Sequence, residues 1–207
     1  MLPTPIALLS PNIHLLSSNL ISMPSRHGWH RGMSSTVTDL GVEYTPRLAI
    51  KVAYFLTVPG PDAGLTMFVP GSHTRTGPVT VPQGDIDPPG AITPDIGPYD
   101  VVLFENRTWH AGGLNRSGHE RLAVMMQYGF RWLNAVDDPD LALLDRPDLD
   151  AVERQPPGAR DRRPDDSVAR EGSGARPLTD WWQHPTGAPA RRPITRPRPH
   201  HRGRLDP

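Results

Sequence analysis

What most constrains this chain is a series of short apolar runs, rich in β-branched and aromatic residues, that stop at turn-forming residues and never settle into a helical period. Ile13-His14-Leu15-Leu16 and Asn19-Leu20-Ile21 come first. Leu48 to Leu56, Leu65 to Val69, Val101 to Phe104 and Leu122 to Tyr128 follow. Punctuation such as Val58-Pro59-Gly60-Pro61-Asp62 and Pro70-Gly71 separates them. Runs bounded in this way are strands, and strands in succession without helices between them form a sandwich or barrel. The predicted class is mainly β, with a jelly-roll domain over residues 1–135. A helix is expected only near Leu141–Leu144, inside a short helical extension over 136–150.

Prolines and glycines, 26 and 19 of them, hold the hydrophobic share to 36%, and they cluster. Gly77 to Gly97 is a long polar connection, which reads either as a lid or binding loop or as a surface excursion without a role. Residues 151–207 hold 12 arginines and 10 prolines with no periodic apolar pattern. Such a segment does not bury enough surface to offset its chain entropy, so a disordered tail is expected there. The formal net charge is zero, and the tail's arginines are interleaved with acids, so neither nucleic acid nor an acidic membrane is an expected partner. There is no cysteine, which excludes thiolate metal sites and disulfides. No apolar stretch reaches the roughly 20 residues of a membrane span. Met1 to Leu9 lacks the basic flank and cleavage site of a signal peptide. A cytoplasmic protein is the expectation, and its oligomeric state is left open.

Neutral imidazole is a good ligand for first-row metals, which directs attention to the nine histidines. His30 and His110 each follow a tryptophan, sit at a strand edge and lie far apart in the chain, as ligands on different strands of a barrel would. Spacing alone leaves two readings open, a metal-binding pair or two hydrogen-bonded structural histidines. His73 is expected to hold its turn by a hydrogen bond. His27 is either a contact near His30 or a solvated loop residue, and His119 has no evident task.

Taken in order, Gly28-Trp29-His30-Arg31, Pro70-Gly71-Ser72-His73, Val101-Val102-Leu103-Phe104 with Trp109-His110, and then Arg121 resemble the phytanoyl-CoA dioxygenase family of non-haem Fe(II)/2-oxoglutarate-dependent oxygenases. The resemblance covers about Ile13 to Leu133. It implies a double-stranded β-helix of the cupin-like jelly-roll kind. It also implies Fe(II), 2-oxoglutarate as cosubstrate and O₂, with His30 and His110 on the metal. Arg121, which follows His110 at the family's spacing, would bind the far carboxylate of 2-oxoglutarate. Two histidines and a carboxylate on one face of Fe(II) leave positions open for cosubstrate and O₂. A guanidinium fork holds both oxygens of a carboxylate at once. The implied activity is oxidative functionalisation of an unactivated C–H bond in a free small molecule.

The sequence departs from the family at the carboxylate, which belongs two positions after His30, where Gly32 stands. Asp39 and Glu43 lie well past His30 and are not expected to replace it. Similar enzymes with His-x-Gly or His-x-Ala are halogenases, in which chloride or bromide takes the vacated position and preserves the negative charge there. Chlorination, with Gly32 as the halide vacancy, is therefore the expected activity. Hydroxylation with an incomplete triad and a catalytically degenerate relic are the competing readings. Gly112 replaces a hydroxyl residue that in the family helps hold 2-oxoglutarate. The stretch before His30 is shorter than the family carries, so a jelly roll incomplete at its N-terminus is expected.

Lys51 is the only lysine and interrupts an apolar strand. It shares strand parity with Ala53, near which the resemblance puts the cosubstrate pocket. Lys51 is thus expected to face that pocket and bind 2-oxoglutarate or an anionic group of the substrate. The alternative is an edge strand on which Lys51 faces water.

Overall fold

Two antiparallel sheets carry the chain from residue 13 to residue 130 in a computed structural model that describes residues 2–23, 27–57, 60, 62–97, 100–138, 141–159 and 176–184. The larger sheet contains β1 (Ile13–Met23), β3 (Ala49–Phe55), β5 (Val101–Glu105) and β7 (Arg121–Phe130), in the order β1-β7-β3-β5. The smaller contains β2 (His27–His30), β4 (Thr66–Phe68) and β6 (His110–Gly112), in the order β2-β6-β4. The sheets meet through aromatic rings. Phe104 of β5 packs edge-on against Phe68 of β4 and against His110 of β6, each with a centroid separation of 4.8 Å. This is the predicted mainly β class, a double-stranded β-helix.

The early extended run expected over Ile13–Leu16 and Asn19–Ile21 is the single strand β1. A register shift between Leu15 and Ser17 lets the strand pair with β7 along its whole length. β3 is an inner strand, flanked by β7 and β5, so the edge-strand alternative for Lys51 does not hold. Cross-strand partners share a face of a sheet. Lys51 is opposite Phe104 on one side and Gln127 on the other. Because Phe104 touches the small sheet, Lys51, Ala53 and Phe55 face inward, together with Gln127, Met125 and Ala123.

Three short helices cover the outside of β1 near its start. They are α1 (Pro3–Leu8), α4 (Ala151–Arg154) and α5 (Pro177–Gln183). Two further helices, α2 (Thr36–Leu40) and α3 (Leu141–Leu144), lie in the connections, and α3 falls on the predicted apolar run. Ile6, Ile13 and Leu178 form a buried cluster, against which Val152, Trp181 and Tyr128 pack. Gln155 is fully buried. Its Nε2 donates to the carbonyls of Pro11 and Ile13, and its Oε1 accepts from the backbone N–H of Leu178.

The disordered tail expected from residue 151 therefore needs correction where it is described. Residues 151–159 and 176–184 are ordered and docked, and the rest of that segment lies outside the described residues. Composition averaged over the segment hides the few residues that matter. One buried amide joins three backbone groups, and one leucine fills the cluster beneath it. Leu178→Ala should lower the unfolding free energy by about 2–4 kcal/mol, as a leucine truncated in a packed site does. Denaturant titration checks this, and an unchanged midpoint would mean that the docked helix adds nothing to the core.

Among the described residues no helix is long and apolar enough to cross a membrane.

Candidate active site

His30 closes β2 and His110 opens β6, and the two are register partners across the antiparallel pair. Their ring centroids lie 4.2 Å apart, with the planes inclined at 54°. Each Nδ1 donates to the carbonyl two residues earlier: His30 to Gly28 at 2.8 Å and His110 to Thr108 at 2.7 Å. A carbonyl only accepts, so both Nδ1 atoms carry a proton, which makes Nε2 of the neutral ring the nitrogen that would bind a metal, as is usual for protein imidazoles that act as ligands. A ring bound through Nε2 has its centroid about 3.2 Å from the metal, given a bond of about 2.1 Å. Two rings bound at right angles would then have centroids roughly 4.5 Å apart, close to the separation seen. The pair thus fits one metal ion.

The tryptophan before each histidine explains part of this placement. Trp29 Nε1 donates to Asp87 at 3.0 Å, which ties β2 to the Gly77–Gly97 connection. That connection is also bridged to β4, where Phe68 and Ile92 exchange backbone hydrogen bonds of 2.8 Å. It is thereby anchored beside the histidine pair. On the other strand, the Trp109 N–H donates to the hydroxyl of fully buried Ser72 at 2.9 Å, and its carbonyl accepts from Val69 N–H at 3.0 Å. The Pro70-Gly71-Ser72-His73 turn, with Gly71 at φ 75°, delivers that hydroxyl. The turn is held not by His73, as the sequence suggests, but by Ser72, helped by Thr74, whose hydroxyl donates to the Gly71 carbonyl.

At Gly32 the structure adds something the sequence does not announce. A Cβ at this position would lie 2.2 Å from Nδ2, 2.3 Å from Oδ1 and 2.5 Å from Cγ of Asn106. The space directly beside Gly32, which the sequence leaves open, is therefore occupied by a carboxamide. Gly32 does not adopt a left-handed conformation, so what a side chain there would meet is not backbone strain but the Asn106 carboxamide, which would have to shift to admit it. Asp39 and Glu43 are exposed. Among the described residues, no three of His, Cys, Asp and Glu come together as a metal-binding group.

Arg121 begins β7 and is 4% exposed. Its guanidinium lies over the Phe55 ring, 5.6 Å from the centroid, so it faces inward. Its Nε is buried without a hydrogen-bond partner, and no carboxylate pairs with it among the described residues. Burial works against its charge. Arg116, the other arginine of this loop, is exposed.

Lys51 is also inward and partly buried, and burial pushes its ammonium below the ordinary lysine range. It makes no ion pair with any described residue. The two cations start from well-separated points on the sheet: Lys51 pairs with Gln127, and Arg121 lies six residues away along β7, a backbone spacing of about 20 Å at the rise of an extended strand. Lys51 shares its row with Phe104, which touches His110, so it belongs to the histidine end of the barrel.

Asn106 and Asp87 are the residues that sequence reasoning missed. Nothing local marks either one, because each acts on a partner far along the chain. An apolar cavity of about 410 Å³ lies next to the site. It is lined by Phe68, Phe104 and Thr108 but not by the histidine pair, Lys51 or Arg121, so it adjoins the polar centre without containing it.

Residues 12–123 match the model of the phytanoyl-CoA dioxygenase family. An uncharacterized protein of Mycobacterium tuberculosis is 34% identical over 67 residues, which make up 32% of this chain and 23% of that protein. The dioxygenase cdmA of Talaromyces verruculosus is 33% identical over 90 residues, 44% of this chain and 29% of that one. The chain thus spans less than a third of the length of the curated relatives it matches. Among solved structures, HygX from Streptomyces hygroscopicus with nickel and 2-oxoglutarate bound aligns with a TM-score of 0.50 at 17% identity, over 65% of this chain and 64% of that one. At that identity the likeness speaks for the fold.

Proposed function

Because the chain belongs to the phytanoyl-CoA dioxygenase family, we propose that it is a non-haem Fe(II)/2-oxoglutarate-dependent oxygenase acting on an unactivated C–H bond of a free, anionic small molecule, in a cytoplasmic setting. Together, iron, 2-oxoglutarate and O₂ supply the oxidising power that removes a hydrogen atom from such a bond. His30 and His110 would hold the metal through Nε2, each oriented by its Nδ1 hydrogen bond. Arg121 would hold the far carboxylate of the cosubstrate.

The observation that carries this reading is Arg121 itself. A buried guanidinium without a protein counter-ion costs several kcal/mol, and its fork matches a carboxylate in geometry as well as charge. An anionic ligand supplies both. Lys51 is the second inward cation, and its distance from Arg121 separates their tasks. The sequence leaves Lys51 either the cosubstrate or the substrate. Its row beside Phe104 and His110 favours the substrate, because the cosubstrate's far end belongs with Arg121. The phenyl rings of Phe68 and Phe104 keep this end of the barrel apolar, which strengthens the pull of an ammonium on an anion.

Halogenation is a second reading, favoured by the missing carboxylate at Gly32. It requires Asn106 to turn away and admit chloride or bromide, so C–H oxygenation stands first. The test is turnover of protein loaded anaerobically with Fe(II) and 2-oxoglutarate, then exposed to O₂ with a panel of small carboxylates and phosphates. Consumption of 2-oxoglutarate should rise with a member of the panel. Runs in chloride, bromide and halide-free buffer should give one oxygenated product. A product carrying the supplied halogen would reverse the order of the two readings, and 2-oxoglutarate consumption no greater than in the protein-free blank would count against both.

A further inference from the structure

Asn106 follows the end of β5 and is 3% exposed. Its backbone ties β3 to the segment after β2: the N–H donates to Ala49 of β3 at 3.1 Å, and the carbonyl accepts from Gly32 at 2.9 Å. Its side chain reaches Gly32 head-first, since Oδ1 and Nδ2 are both nearer than Cγ to the point where a Gly32 Cβ would be. The carboxylate oxygens of an aspartate at position 32 would lie roughly 2.4 Å from that same Cβ, from standard bond lengths. The Asn106 head atoms lie at 2.2 and 2.3 Å. A carboxamide therefore lies within the space beside Gly32 that an aspartate side chain would need.

Its oxygen is also unspent. Asn106 Oδ1 is buried and has no hydrogen-bond partner among the described residues, a state that costs about 1–3 kcal/mol when left uncompensated. A purely space-filling role would be met without that cost by an apolar residue of the same shape. Carbonyl oxygens are hard donors that bind divalent cations, and the nearest chain neighbour of Gly32 in the site is His30, two residues back.

We propose that Asn106 stands in for the absent acidic residue, its side-chain oxygen being the third protein donor to the metal held by His30 and His110. The inference rests on the metal-binding reading of that histidine pair and extends it to a neutral triad of two imidazoles and one carboxamide. A neutral donor leaves the full charge of the cation uncompensated by protein. This makes the site a weak metal binder and a strong binder of anionic cosubstrate.

The test is calorimetric titration of the full chain with Ni(II), which is stable in air, in the presence of 2-oxoglutarate. Asn106→Leu keeps the shape and removes the donor, and should weaken Ni(II) binding about tenfold or more, since even groups that only orient a ligand contribute 10- to 100-fold. Asn106→Asp should tighten it by a similar factor by restoring the negative charge. Gly32→Asp alone should fail to tighten binding because Asn106 occupies its space. Gly32→Asp combined with Asn106→Gly should succeed. Wild-type affinity in both Asn106→Leu and Asn106→Asp would overturn the proposal and leave Asn106 as packing. If Asn106→Leu does not fold, as judged by its thermal melt, Asn106→Asp alone decides by whether it tightens binding. His110→Ala separates this inference from its premise. If that variant binds Ni(II) like wild type, the histidine pair is not the metal site. If it loses binding while the Asn106 variants do not, only the role of Asn106 falls.

Discussion

His110→Ala should abolish metal binding, with the weak visible absorption of iron chelated by a 2-oxo acid absent at any practical Fe(II) concentration. On the proposed ligand set of two imidazoles and a neutral oxygen, removal of one imidazole leaves too few donors to hold a divalent ion against water. Loss of a group that merely orients a ligand costs 10- to 100-fold, so loss of the ligand itself should exceed 100-fold. His110 is 3% exposed and packs on Phe104, and its truncation also costs some stability. His30→Ala provides the control, because His30 is only partly buried. It should lose the metal to the same extent while its melting temperature stays near that of wild type. A band that survives in either variant would mean that the metal sits elsewhere.

Arg121→Ala should raise the 2-oxoglutarate requirement about 100-fold. Two charge-assisted hydrogen bonds at about 1.5 kcal/mol each give roughly 3 kcal/mol, a little over two decades. Metal affinity measured without cosubstrate should change little. Arg121→Lys should recover only part of the loss, because a point charge does not reproduce the fork. Stability of the ligand-free protein carries a second sign. An arginine buried for structural reasons would destabilise the fold when removed, whereas one held uncompensated for a ligand should leave stability unchanged or higher when it becomes apolar. Arg121→Met should therefore melt no lower than wild type without 2-oxoglutarate. Lys51→Met supplies the contrast: the 2-oxoglutarate requirement should stay within a few fold of wild type, while the concentration of anionic substrate needed for half-maximal rate rises. Equal effects of both substitutions on 2-oxoglutarate would show that the two cations share one ligand.

Several features of the fold are legible because they depend on neighbours in sequence. The inner strands β3 and β7 announce themselves as β-branched runs between turn formers. The parity of Lys51, Ala53 and Phe55 within β3 is a property of any strand. β2 and β6 are not legible as strands, since His27–His30 and His110–Gly112 are short and rich in glycine and histidine. They are strands only because they pair with each other and with β4. β1 reads as one early extended run, but the shift of register between Leu15 and Ser17 is visible only against β7.

By itself, the sequence determined the class of the fold, the histidine pair through its resemblance to a family, the arginine that follows it, and the absence of a carboxylate at Gly32. These are matters of residue type and short-range spacing, and they survive without coordinates. Tertiary structure decided what fills the space beside Gly32. The answer is Asn106, distant from Gly32 in the chain and brought there by the turn that follows β5. It decided that Lys51 faces inward at the histidine end, because β3 is not an edge strand and the cross-strand partner of Lys51, Phe104, touches His110. It decided, too, that part of an arginine- and proline-rich segment folds back onto β1. Burial and partnership are sums over residues distant in sequence, and one buried glutamine or one leucine in the right place outweighs the composition of everything around it.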